Sequence, residues 1–88
     1  MERKMEGNEL QVNHNTTSYF RLSKYYCIKG TLMADEGNLN EALENYNKAI
    51  EVNPENHIAY YNRATIKIDL GDFEGAKNDF FNFDKIKK

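Results

Sequence analysis

Cysteine is almost absent from this 88-residue chain, which contains Cys27 alone. A single cysteine excludes a disulfide within the chain, and it provides too few thiolates for a cysteine-based metal site. A protein without disulfides fits a reducing compartment, so we expect an intracellular, cytoplasmic protein. Cys27 itself lies inside an expected helix, where a small buried side chain is a more common role than a nucleophile.

The chain also lacks a long apolar run and a strong excess of charge. No signal-peptide stretch follows the first residues, and no segment approaches transmembrane length. The 14 acidic residues nearly balance the 12 basic residues, for a formal charge of −2. This balance argues against nucleic acid and membrane surfaces as partners. We therefore expect a soluble protein.

Residues suited to catalysis are scarce as well. The two histidines, His14 and His57, have no catalytic neighbour in the sequence, and His57 is expected at a helix start. No glycine-rich loop is present to hold a phosphate, and no spacing of side chains suits a metal. The sequence therefore predicts a protein that is not an enzyme and that uses no cofactor or metal.

What the chain does contain is an internal repeat of 34 residues. A fixed period of this length indicates stacked supersecondary units. Seven positions of the first copy recur in the second: Tyr26, Gly30, Gly37, Asn38, Leu39, Ala42 and Tyr46 correspond to Tyr60, Ala64, Gly71, Asp72, Phe73, Ala76 and Phe80.

Apolar residues three or four positions apart predict two helices around the first unit, residues 23–56. The first helix begins near residue 18 and ends at Asp35, since Gly37 readily takes the left-handed conformation that ends helices. Asn38 is the expected N-cap of the second helix, and Glu41 follows at the spacing of a capping box. Pro54 then interrupts the helix, because proline disfavours helical geometry in the residue before it.

The second unit, residues 57–88, repeats this arrangement. Its first helix starts near Asn56 and reaches a turn at Gly71, and Asp72 caps the next helix. Residues 18–88 are thus predicted to form one all-α domain of two antiparallel helix pairs in tandem. Residues 1–17 show no consistent period, and we expect a flexible polar tail. The alternative is a docking segment that packs through Leu10 and Val12.

The pattern resembles the tetratricopeptide repeat, in which each unit combines aromatic, small and proline positions. Small residues let neighbouring helices approach closely, and aromatic side chains fill the gaps beside them. The resemblance covers residues 23–88 and implies a short right-handed solenoid of two units. The matching residues are Tyr26, Gly30, Ala42, Tyr46 and Pro54, then Tyr60, Ala64, Ala76 and Phe80. Departures include Lys29 and Arg63 at a leucine position, Met33 and Lys67 at a tyrosine position, and Phe83 where the first unit has Ala49.

The resemblance implies a protein-binding scaffold whose first helices line a concave groove. The expected partner is a peptide or helix of another protein, which the fold alone does not identify. The groove candidates are Lys24, Cys27, Ile28, Thr31 and Asp35 in the first unit, and Ile58, Tyr61, Asn62, Thr65, Ile68 and Asp69 in the second.

Self-association is the alternative function. About three repeats are usually needed for stability, and this chain contains two without an obvious cap. Phe81, Phe83 and Ile86 lie on the last helix, where an apolar patch would be exposed and would pack against a second copy as a symmetric homodimer. The competing interpretation is that Phe83 turns inward and Phe81 is exposed singly.

Overall fold

Four α-helices form the structure, a computed structural model that describes the backbone of residues 4–88 and the side chains of residues 18–88. The helices are α1 (Lys4–Asp35), α2 (Leu39–Val52), α3 (His57–Asp69) and α4 (Phe73–Lys87), and residues 4–88 contain no strand. Each helix packs against the next one, and α1 also contacts α3. The predicted all-α fold of two tandem helix pairs is confirmed.

The same turn closes both helix pairs. Gly37 and Gly71 have φ angles of 84° and 87°, in the left-handed region that glycine adopts without strain. In the first turn, the amides of Gly37 and Asn38 donate to the carbonyls of Ala34 and Met33, both at 2.9 Å. This is the Schellman pattern, and the second turn repeats it 34 residues later. The predicted helix stops at both glycines are confirmed.

The predicted capping box at Asn38 is wrong. Asn38 occupies the N-cap of α2, but its side chain makes no cap hydrogen bond and instead donates to Glu36 at 3.5 Å. A capping box also needs the N-cap amide as a donor to the Glu41 side chain, and the Schellman turn already uses that amide. By contrast, the side chains of Asn56 and Asp72 cap α3 and α4, each accepting from the amide three residues ahead.

Helix α1 begins at Lys4, well before the expected start near residue 18. Its backbone therefore extends into the segment for which a flexible or docking tail was expected. Helix extension adds one hydrogen bond for each residue fixed, and this segment contains no proline to stop it. The side chains of residues 1–17, including Leu10 and Val12, lie outside the described residues, so flexibility or docking stays a prediction.

Small residues surround a buried aromatic ring in the core of the first unit. Tyr46 is 2% exposed, and its hydroxyl hydrogen-bonds the Thr31 hydroxyl at 2.9 Å. A Cβ added at Gly30 would lie 2.7 Å from Tyr46 Cε1, so only glycine allows this ring position. The rest of this core cluster consists of Cys27, Ala42 and Ala49 of the first unit together with Ala59 and Ile66 of α3 in the second unit.

A buried ion-pair cluster explains two departures from the repeat pattern in the second unit. The Asp79 side chain on α4 is 2% exposed and accepts two hydrogen bonds from Arg63, at 2.9 and 2.7 Å. Lys67 Nζ lies 3.1 Å from the same carboxylate. Arg63 also donates to Asn47 Oδ1 on α2 at 2.8 Å. Arg63 and Lys67 thus neutralise Asp79, and Arg63 also ties α3 to the preceding unit.

Candidate functional site

Two adjacent hollows lie along the N-terminal half of α3. The first, between α1 and α3, has a volume of about 320 Å³. The second, between α3 and the end of α4, has a volume of about 330 Å³. The α1–α3 hollow is lined by Phe20, Lys24, Cys27, Ile28, Asn53, Asn56 and Ile58. The α3–α4 hollow is lined by His57, Ile58, Tyr61, Asn62, Phe83 and Lys87.

A hydrogen-bond network fixes the floor of the α1–α3 hollow. The hydroxyl of Ser23, which is fully buried, donates to the Ala49 carbonyl at 2.7 Å and accepts from Asn56 Nδ2 at 2.9 Å. The other end of the Asn56 side chain caps α3. The Asn56 side chain therefore joins α1 to α3, and the Ser23 hydroxyl extends the network to α2, so that α1 and α3 are held at a fixed spacing.

Aromatic packing forms the wall of the α3–α4 hollow. The Phe83 ring centroid lies 5.2 Å from that of Tyr61 and 5.7 Å from that of His57. Lys87 Nζ lies 5.7 Å from the Phe83 centroid, within the range of a cation–π contact. Phe83 therefore lies against α3, and Lys87 adds a positive charge at the edge of the hollow.

Ile58 is the side chain that the two hollows share, and it is 54% exposed. Phe20 and Ile28 are 56% and 52% exposed on the opposite wall, and Tyr61 is 46% exposed beside Ile58. Apolar groups thus line both hollows while remaining accessible. Lys24 and Lys87 place one positive charge beside each hollow.

The Cys27 thiol forms part of the wall and is held in its neutral form. Burial raises the pKa of Cys27 above its ordinary value of 9.0, and the hydrogen bond from Asn62 partly offsets this shift. Asn62 Nδ2 lies 3.8 Å from the sulfur. Because the thiolate is the nucleophilic form, this environment makes Cys27 a packing residue, as the sequence predicted.

The hollows bring together six of the eleven groove candidates. Lys24, Cys27, Ile28 and Ile58 line the first hollow, and Ile58, Tyr61 and Asn62 line the second. The remaining five, Thr31, Asp35, Thr65, Ile68 and Asp69, lie further along α1 and α3 and line neither hollow.

Two of these five remaining candidates, Thr31 and Thr65, use their hydroxyl groups in hydrogen bonds within the chain. Thr31 Oγ1 bonds both the Tyr46 hydroxyl and the Cys27 carbonyl, and Thr65 Oγ1 donates to the Asn62 carbonyl at 2.7 Å. Both hydroxyls therefore have partners within the chain.

The three self-association candidates differ in exposure. Phe81 is 64% exposed, whereas Phe83 and Ile86 are half-buried. The Phe83 ring packs against Tyr61, so this aromatic side chain belongs to the α3–α4 hollow. The arrangement matches the interpretation in which Phe83 turns inward and Phe81 is exposed.

Sequence reasoning missed several residues that line the hollows. Phe20 lies four positions before Lys24 and eight before Ile28, so the helical period could have placed it on the same face. Asn53 and Asn56 belong to the connection between the two units, where no periodicity identifies a lining residue. The sequence also gives no indication that Lys87 and His57 line a hollow, because their positions in it depend on how α4 packs against α3.

Two classes of site are not found in the described part of the chain. No group of three histidine, cysteine, aspartate or glutamate side chains among residues 18–88 is placed to hold a metal ion. None of the helices within residues 4–88 combines the length and the apolar character needed to cross a membrane.

Comparison with known proteins identifies similarity to helical repeats. A family model described as TPR repeat matches residues 30–71, which extend from α1 through α3. An uncharacterised protein of Methanocaldococcus jannaschii is 38% identical over 66 residues, covering 75% of this chain and 77% of that protein.

Two eukaryotic proteins are also similar to this chain in sequence. Tetratricopeptide repeat protein 36 of Danio rerio is 44% identical over 52 residues, covering 59% of this chain and 28% of the relative. DnaJ homolog subfamily C member 3 of Homo sapiens is 33% identical over 82 residues, covering 93% of this chain and 15% of the relative. The chain therefore spans most of the archaeal relative but less than a third of either eukaryotic one.

Proposed function

The chain belongs to the tetratricopeptide-repeat family, and we propose that it is a non-enzymatic module that binds an extended segment of a partner protein along α1 and α3. The observation that carries this proposal is the pair of adjacent hollows that share Ile58. An extended segment presents side chains at regular intervals, so two hollows side by side suit two apolar side chains of one segment.

The chemistry of the hollows favours a particular kind of segment. The exposed apolar walls, chiefly Phe20, Ile28 and Ile58, gain free energy when an apolar side chain displaces water from them. Asn62 lines the α3–α4 hollow, and its amide group suits a hydrogen bond to a peptide backbone. Lys24 and Lys87 favour an acidic residue near either apolar anchor. We therefore propose an apolar segment with acidic neighbours as the partner.

Selection of peptides from a random library against the whole chain tests this proposal. We expect the selected peptides to carry two apolar side chains flanked by acidic residues. Ile58→Glu should weaken their binding at least about tenfold, because it places a charge between the two hollows. Ile68→Glu is the matched control, since Ile68 is an exposed isoleucine of the same helix outside both hollows.

Comparing the binding of the selected peptides to the two variants tests whether the hollows are the binding site. Loss of binding in Ile58→Glu with retention in Ile68→Glu supports the hollows as the site. Equal binding by both variants, or peptides without apolar anchors, contradicts the proposal. The acidic preference is tested separately, because Lys24→Ala should reduce the dependence of affinity on salt concentration.

Self-association through the C-terminal helix is the second candidate function. The exposure of Phe81 favours it, and half-buried Ile86 would add to the same contact. Light scattering at increasing protein concentration tests it. A homodimer that Phe81→Glu dissociates would support this candidate, and a dimer that is unaffected by Phe81→Glu would contradict it.

A further inference from the structure

The 34-residue period relates a buried face of α3 to an exposed face of α1. Ala59 and Ile66 are 0% and 4% exposed in the cluster that joins α3 to α2. The residues 34 positions earlier are Tyr25 and Leu32, and each of them is 54% exposed. The α3 positions that are buried between the two units therefore correspond to α1 positions that carry large, exposed apolar side chains.

These accessible residues belong to one continuous stripe on α1. Leu22, Tyr25, Lys29 and Leu32 follow one another at spacings of three, four and three, which places them on one side of the helix. We name these four residues the α1 stripe. The described helices that contact α1 are α2 and α3, and they leave Leu22, Tyr25 and Leu32 between 42% and 54% exposed. Three large, exposed apolar residues on one face of a helix favour burial against another surface.

The outer face of α4 is a poor partner for the α1 stripe. Asn47 of α2 contacts α3, and Leu43 and Ile50 lie on the same face of α2 at helical spacing. On α4, the residues 34 positions after Leu43, Asn47 and Ile50 are Lys77, Phe81 and Asp84 respectively. Stacking α4 of one copy on α1 of another would thus bury charges against apolar residues.

We propose that the α1 stripe binds the α1 stripe of a second copy of this chain, with the two helices antiparallel about a two-fold axis at residue 27. The spacing of the stripe supports this arrangement, because the steps of three, four and three residues are symmetric about that point. Leu22 of one copy faces Leu32 of the other, and Tyr25 faces Lys29. A lysine over a tyrosine ring is a favourable contact, and Lys48 already lies 5.6 Å from the Tyr26 ring centroid within the chain.

Charge complementarity beside the stripe supports the same arrangement. Arg21 and Asp35 are exposed and 14 positions apart, so they lie on the same side of the α1 stripe. In an antiparallel two-fold pair, this side of one helix lies beside the same side of the other. Arg21 of each copy then faces Asp35 of the second copy, and the symmetry produces this opposite-charge contact twice.

Sedimentation or light scattering of the whole chain between about 1 μM and about 1 mM tests the proposal. The expected result is a concentration-dependent shift from monomer to dimer. Leu32→Glu should raise the dissociation constant at least about tenfold, because it buries a charge in the stripe. Phe73→Glu is the matched control at an exposed apolar residue of α4 outside the α1 stripe, and it should leave the dimer unchanged.

A charge exchange on α1 provides a second test that keeps the apolar residues intact. Arg21→Asp and Asp35→Arg should each weaken the dimer at least about tenfold, since like charges then face each other. The double variant restores opposite charges and should restore the dimer. Circular dichroism checks that every variant remains helical.

Several results would overturn the proposal. They are a monomer across the whole concentration range, a dimer that survives Leu32→Glu, and a double charge variant that fails to recover. Dissociation by Phe81→Glu would also overturn it, because that result places the interface on α4. Peptide binding at Ile58 uses other residues, so failure of this proposal leaves the proposed peptide site standing.

Discussion

Single residues determine which side chains the two units can bury. Gly30 leaves room for the Tyr46 ring, and Asp79 is buried because Arg63 and Lys67 both reach its carboxylate. Both arrangements depend on a residue type at one position and on its partner at another. Substitutions at these positions should therefore lower the stability of the fold, because they disrupt one of these two contacts.

Removing the buried carboxylate should destabilise the second unit. Asp79→Ala leaves two cations without their shared partner, which should cost roughly 3 kcal/mol of unfolding free energy. Asp84→Ala is the control, because Asp84 is an exposed aspartate of the same helix, and it should change stability by less than about 0.5 kcal/mol. Chemical denaturation measures both values, and equal losses in the two variants would contradict the buried ion-pair account.

Two buried acidic groups predict lower stability at alkaline pH. Burial raises the pKa of Cys27 and of Tyr46 above the ordinary values of 9.0 and 10.0. The unfolded chain then releases these protons at a lower pH than the folded chain, so stability is fully present below pH 9 and falls as the pH rises through the folded values. Cys27→Ala should make this decline shallower. Denaturation series across this pH range measure the slope, and identical slopes in both proteins would refute the assignment.

At the scale of whole helices, equivalent positions of the two units use different contacts. Asn38 and Asp72 are both N-caps and are separated by the 34-residue period. The Asp72 side chain accepts from an amide of α4 at 2.9 Å, whereas Asn38 makes no cap hydrogen bond. The turn before each helix is nevertheless the same, because Gly37 and Gly71 supply it. The start of α2 therefore relies on the backbone turn alone, whereas α4 has the same kind of turn and a side-chain cap from Asp72 as well.

This difference predicts unequal effects of the same substitution. Asp72→Ala should lower the free energy of unfolding by about 1 kcal/mol, the usual cost of losing a side-chain cap. Asn38→Ala should change it by less than about 0.5 kcal/mol. Thermal or chemical denaturation of the two variants provides the comparison. A larger loss for Asn38→Ala than for Asp72→Ala would show that the cap assignments are reversed.

At the scale of the whole molecule, the sequence predicts the fold better than the site. The 34-residue period, the two glycine turns and the interruption at Pro54 predict the four helices, because they depend on local backbone chemistry. Asn38 is the N-cap of α2 as predicted, but its capping box with Glu41 is absent, and the Schellman turn uses the amide that the box requires. The α3–α4 hollow depends on the position of α4, which brings Phe83 against Tyr61, and the α1–α3 hollow depends on how α1 and the connection between the two units pack against α3. No periodicity within a single helix contains that information.

Amide-resolved NMR of the whole chain, titrated with a library-selected peptide, tests the central claim most directly. If α1 and α3 form the peptide site, chemical-shift changes should cluster on the residues around Phe20, Ile28, Ile58 and Asn62, which line the two hollows. Changes that cluster instead around Phe73 and Phe81, exposed on α4, would contradict the account.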